Sequence, residues 1–138
     1  MHTVKIIRNR PDFRCFIDLL YGHNSNVDTD GDACPVNSRH WTYLYLKDRK
    51  GGAPSVEICA RETDLEIFSV ESDSLALEEL AALYLFLTCG QSIGSLEALL
   101  TASNIELLRK KYSKELCRAD QSIWHQSSDA QPYPNFGK

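Results

Sequence analysis

The sequence predicts an α+β domain: an antiparallel sheet of about four strands with helices packed on one face. Three features lead there. Residues 40–72 hold three strand-like segments joined by short turns, as an antiparallel meander requires. Apolar residues recur at helical spacing on both sides of that run, within 13–20 and 75–87. A length of 138 residues suits one domain with a real core.

The chain opens with a short strand over residues 3–8, where Val4, Ile6 and Ile7 are β-formers. Pro11 then suits the first turn of a helix that carries Phe13, Phe16, Ile17 and Leu20 and stops at Gly22. The polar residues 23–39 are expected to form a connecting loop. In "HWTYLYLKD", Trp41, Tyr43 and Tyr45 on one face alternate with Thr42, Leu44 and Leu46 on the other, so either face can be covered or lightly exposed. The turn "DRKGGAP" ends it, and "SVEICARE" resumes with Val56, Ile58 and Ala60 on one side. Past a turn at 62–64, "LEIFSVES" shifts its apolar residues from Leu65 and Ile67 to Phe68 and Val70, which predicts a bulge or a strand covered on both faces. Asp73 or Ser74 caps the next helix, in which Leu75, Leu80, Leu83, Tyr84 and Leu87 lead to Gly90. A third helical region starts after Ser95 with "LEALL" and continues as "IELLRKKYSKEL", with Ser103 or Asn104 as its cap. Residues 1–121 thus form the domain. Residues 122–138, rich in Pro, Ser and polar groups, form a tail that frays or lies over the surface, with Trp124, Tyr133 and Phe136 to pin it.

The composition, 43% hydrophobic and 25% charged, is that of a folded globular chain. The apolar run Val4, Ile6 and Ile7 is too short for a signal-peptide core, and no stretch approaches the roughly 20 apolar residues of a membrane span, so a cytoplasmic protein without membrane contact is expected. The five cysteines, Cys15, Cys34, Cys59, Cys89 and Cys117, form no CxxC or CxxH pair. Reduced thiols are expected, not a zinc site or a disulfide framework.

The stretch "NSNVDTDGDACPVN", residues 24–37, has the look of a calcium loop, which needs oxygen ligands at positions 1, 3 and 5, Gly at 6 and Glu at 12. Starting at Asp28, Asp30 and Asp32 fall into place, but Ala33 takes the glycine position and Arg39 that of the glutamate. Starting at Asn26, the first half fits and Asn37 stands at the twelfth position. Neither register is complete, so a polar loop without a metal or cofactor is the expectation. Catalytic motifs are missing as well: the four histidines, His2, His23, His40 and His125, are dispersed, and no P-loop, dinucleotide fingerprint, HExxH or GxSxG occurs. "CGQSIGS" follows a helix, the wrong setting for a phosphate cradle. The net charge of −4 opposes nucleic-acid binding. The basic run Arg109, Lys110, Lys111, Lys114 and Arg118, set against Glu106 and Glu115, reads as a solvated helix face.

Charge distribution is more informative. Between Pro54 and Glu79 eight carboxylates face one base, Arg61, a net of −7, so the rest of the chain is slightly basic. A sustained negative field of this kind steers a basic partner. In its order of parts, "HWTYLYLKDRKGGAPSVEICARETDLEIFSVESDSLALEELAALYLFL", residues 40–90 resemble small bacterial immunity proteins that neutralise polymorphic or contact-dependent toxins. That resemblance implies a non-catalytic inhibitor that binds a cognate toxin domain, often a nuclease, in the bacterial cytosol. The expected contact surface is Glu57, Glu62, Asp64, Glu66 and Glu71, with Asp28, Asp30 and Asp32 as a second acidic patch; Trp41, Tyr43 and Tyr45 are expected in the core. The alternative is a small enzyme or ligand-binding domain with a pocket near His40, Trp41 and Cys59.

Overall fold

Strand alternation and one apolar helix organise the chain. The computed structural model describes residues 1–23, 25–50, 54–95 and 98–126. Its strands are β1 (His2–Ile6), β2 (Val27–Gly31), β3 (Tyr43–Asp48), β4 (Ser55–Ala60), β5 (Ile67–Ser72) and β6 (Gly90–Ser95). The helices are α1 (Arg14–Tyr21), α2 (Leu75–Cys89), α3 (Ala102–Lys111), α4 (Ser113–Asp120) and the short α5 (Ile123–Gln126). All strand pairs are antiparallel, in the order β2-β3-β4-β5-β1-β6. The α+β class and the antiparallel sheet match the sequence expectation, but among the described residues the sheet has six strands, not about four.

The register fixes which side chains share a face. Val4 lies opposite Phe68, Leu44 opposite Ile58, Leu46 opposite Val56 and Ile58 opposite Val70, and all are buried. This apolar face receives α2, which contacts β1, β4, β5 and β6, while α1 packs on α2 and α4. Phe16 of α1 sits edge-on to Trp41 and to Tyr84 of α2, with ring centroids 6.1 and 5.1 Å apart, and Trp41 meets Phe68 at 5.9 Å. Such pairs add about 0.5–1.5 kcal/mol each beyond area burial. Trp41 lies just before β3 and donates its indole N–H to the Pro11 carbonyl at 3.0 Å. It has left the alternation that Tyr43 and Tyr45 follow.

Both additional strands come from backbone pairing that local composition hides. The expected loop at 23–39 contains β2, because Val27 to Gly31 complete a ladder with β3, although Asp28, Thr29, Asp30 and Gly31 are exposed. Gly31 is needed for close approach: a Cβ there would stand 2.4 Å from the Tyr43 carbonyl oxygen. The glycine-bearing segment after α2 is β6, paired with β1. A Cβ on Gly94 would meet the Ala98 carbonyl at 2.7 Å, and Leu100 donates its N–H to the Ile93 carbonyl.

Three smaller expectations are corrected. Leu65 lies in the turn before β5 and is 63% exposed, so β5 has one buried face, with Phe68 and Val70, and no change of side. Residues 98–100 are not helical, Leu96 and Glu97 lie outside the described residues, and the helix starts at Ala102. Its cap is Thr101 in a capping box with Asn104, ahead of the expected Ser103 or Asn104, because the Thr101 hydroxyl accepts the Asn104 N–H and the Asn104 side chain returns to Thr101. Ser74 caps α2, accepting from the Leu77 N–H. Of the tail's anchors, Trp124 is half-buried with the Arg14 guanidinium stacked 3.6 Å above its ring, and Tyr133 and Phe136 lie outside the described residues.

Candidate functional site

The other face of the sheet carries no apolar row. Antiparallel sheets commonly pack one face and solvate the other. Here the register sets Asp30 opposite Tyr45, Tyr45 opposite Glu57 and Glu57 opposite Glu71. Four strands thus line up an acid, an aromatic and two acids, across about 14 Å at the usual strand spacing. The carboxylates are exposed and Tyr45 is half-exposed. The next row holds Tyr43, Cys59 and Ser69, and the row on the other side sets Asp28 opposite Lys47.

At the β5 end of the acidic row a shallow depression of about 250 Å³ is lined by Tyr45, Ser55, Glu57, Glu71, Ser72 and Asp73. Glu57 and Glu71 stand directly opposed, an arrangement that costs stability between like charges. Among the described residues neither has an ion-pair partner; Glu57 accepts a hydrogen bond from the Tyr43 hydroxyl at 3.1 Å. Burial and that bond push the Tyr43 phenol up, so it remains a donor. The arrangement offers a cationic group several carboxylate oxygens beside an aromatic ring.

The eight acidic residues expected at a contact surface divide into three sets. Asp28, Asp30, Glu57 and Glu71 share the open face. Glu62, Asp64 and Glu66 are exposed on the turn between β4 and β5, which begins about 14 Å along the strand from Glu57 at about 3.4 Å per residue. Asp64 there accepts the Glu66 N–H at 3.0 Å. Asp32 is committed to the fold: it accepts from the Thr42 hydroxyl and from the Thr42 and Tyr43 N–H groups, replacing ladder bonds past the end of β2. Partial burial pushes its carboxyl up, but these hydrogen bonds outweigh it and hold the group below the usual range.

Tyr43 and Tyr45 were expected in the core and Asp73 as a cap; the structure puts both tyrosines on the acidic face and Asp73 in its depression. Alternation could have placed the tyrosines, since Leu44 and Leu46 already form the apolar side. Two other acids of the −7 segment are used internally. Glu78 is buried against His2 Nδ1 and the Met1 amino group, and Glu79 accepts from the Tyr112 hydroxyl at 2.7 Å and from Lys111. The basic run divides too: Lys111 meets Glu79, Arg109 reaches Glu106 at 4.0 Å, and Arg118 turns inward to the Leu19 carbonyl.

His40, Trp41 and Cys59 do not share one cavity wall. Trp41 lines a cavity of about 190 Å³ on the helix side of the sheet with Phe13, Thr29, Ala33, Val36 and Leu44, while Cys59 faces the open side and His40 is exposed. Burial, then Glu57, Asp32 and Glu62, push the Cys59 thiol up, the reverse of what a nucleophilic thiolate needs. Among the described residues, no group of three or more His, Cys, Asp or Glu is placed to hold a metal ion, and no helix is long and apolar enough to cross a membrane. Comparisons with protein-family models, with curated proteins and with solved structures gave no match.

Proposed function

We propose that this protein is a non-catalytic inhibitor, an immunity protein of the bacterial cytosol, which binds a cognate toxin domain through the open face of its sheet. The observation that carries the reading is the row Asp30, Tyr45, Glu57 and Glu71, in which two carboxylates stand opposed and, among the described residues, neither has an ion-pair partner. A basic groove on a toxin supplies the missing charge. A nuclease is the natural target, because carboxylates spaced across neighbouring strands mimic substrate phosphates, and Tyr43 and Tyr45 beside them serve as aromatic anchors. The turn acids Glu62, Asp64 and Glu66 extend the negative field and steer encounter.

The test is growth rescue. Toxin domains encoded beside the gene for this chain are produced in a susceptible bacterium, with the natural chain or with the D30K/E57K/E71K variant. Rescue by the natural chain and its loss in a folded, equally abundant variant support the reading. Failure to rescue from any of these domains contradicts it.

A further inference from the structure

We propose that the outer edge of β2 is a docking strand for an extended segment of a protein partner in which basic and apolar side chains alternate. Among the described residues, β2 has β3 as its one neighbour. The opposite end of the sheet is closed differently: at β6 the backbone of 98–100 folds back, with Leu100 donating to Ile93 and Ser95 to Ala98. Among the described residues no such fold-back accompanies β2, whose residues 28–31 are all exposed.

Hydrogen bonding on β2 identifies what its edge presents. The Arg49 N–H bonds the Asn26 carbonyl at 2.9 Å and the Asp32 N–H bonds the Tyr43 carbonyl at 3.3 Å, both between directly paired residues. Bonded and non-bonded pairs alternate along an antiparallel ladder. Residues 26, 28, 30 and 32 therefore point their backbone groups at β3, and Val27, Thr29 and Gly31 point theirs outward, the Gly31 N–H donating to the Asp30 carboxylate at 2.8 Å. The outward N–H and C=O groups of Val27 and Thr29, with the Gly31 carbonyl, are what a β-augmenting peptide pairs with.

The two sides of this edge differ in chemistry. On the open face stand Asp28 and Asp30. Asp28 has Arg49 at 3.5 Å, with both side chains more than half exposed, a pair of little worth that a partner's cation can displace. On the helix side the 190 Å³ cavity runs along Thr29, Asp30 and Gly31, with Phe13, Ala33, Val36 and Trp41 as its apolar wall. A cavity of about 150 Å³ already holds a benzene ring. Because side chains alternate on an added strand, a basic residue opposite Asp28 or Asp30 puts its neighbour over this cavity. A second copy of the chain is the wrong occupant: antiparallel pairing about Thr29 sets Asp28 against the copy's Asp30 at two places, and like charges opposed across strands repel.

The inference rests on the partner-binding reading only in requiring a protein partner, and its test is separate. A short labelled peptide alternating lysine with leucine is titrated into the natural chain by fluorescence anisotropy at physiological salt. Three further peptides accompany it: a scrambled one with lysines and leucines in separate blocks, one N-methylated at alternate residues, and one with glutamate for lysine. The alternating lysine peptide is expected to bind saturably, with the scrambled and N-methylated forms at least tenfold weaker. Thr29→Pro removes an outward N–H while leaving the bonds to β3, a substitution edge strands tolerate, and is expected to weaken binding at least tenfold. D28K/D30K is expected to exchange the lysine peptide for the glutamate one, and E57K/E71K, which leaves the edge intact, to alter edge binding less than threefold. Absence of saturable binding, equal binding of the scrambled or N-methylated peptide, or binding unmoved by a folded Thr29→Pro overturns the proposal. So does a concentration-dependent dimer that Thr29→Pro abolishes. The N-methylated peptide keeps the test decisive if that variant does not fold. Failure of growth rescue together with peptide binding would overturn the toxin reading alone.

Discussion

The two faces of the sheet are built from the same strands by the same alternation, yet they are put to opposite uses. On β4, Val56 and Ile58 are fully buried under α2, while Glu57 between them is exposed and opposed by Glu71. On β3, Leu44 and Leu46 are buried and Tyr43 and Tyr45 are half-exposed. One face gathers the apolar area that stabilises the chain. The other concentrates charge at some cost in stability, and a surface that costs stability without contributing packing is a reason to look for a partner.

Substitutions that break this contrast range from severe to nearly silent. Trp41→Ala, which removes the ring shared by Phe16 and Phe68 and leaves a cavity, is expected to cost about 3–5 kcal/mol and to shift the urea midpoint sharply downward. On β4 itself, Ile58→Ala should cost about 2–5 kcal/mol, while the adjacent Glu57→Ala stays within about 0.5 kcal/mol, read from paired denaturation curves. Equal losses at these two positions would mean that the open face is packed against something. A smaller effect concerns acid. Burial raises the Glu78 carboxyl, but the His2 hydrogen bond and the Met1 amino group outweigh it and hold the group below its ordinary 4.5. Its contribution to stability is therefore full above about pH 4.5 and is lost as pH falls through the lower folded value. Glu78→Gln should lower the melting temperature above about pH 4.5 and flatten its dependence on pH in the acid window below.

Much of the helix-covered face was legible in the sequence, because period and apolarity coincide there: Val56 with Ile58, Leu44 with Leu46, and the long apolar α2 each indicate their own element. Two strands were not. β2 reads "VDTDG", a composition of turns, and becomes a strand because its backbone completes the ladder with β3 and Gly31 admits the Tyr43 carbonyl. β6 reads "GQSIGS", and its pairing with β1 is a contact between distant parts of the chain that no local pattern carries. Of the acidic surface, the sequence named Asp28, Asp30, Glu57 and Glu71, but their meeting on one face depends on β2 and so was hidden. Asp32 looked like its neighbours and is a structural acceptor, since nothing in "DTDGD" tells which carboxylate will meet the N–H groups of Thr42 and Tyr43. Trp41 continued the alternation of Tyr43 and Tyr45 on paper and left it in space to fill the gap between Phe16 and Phe68.

The most direct test of the account is affinity capture from the host with the natural chain and with the D30K/E57K/E71K variant, after circular dichroism has established that both fold. The account predicts a basic protein domain retained by the natural chain, released by raising the salt and missing from the variant. Retention of the same proteins by both chains, or of none by either, would contradict the claim that the open acidic face is the binding surface.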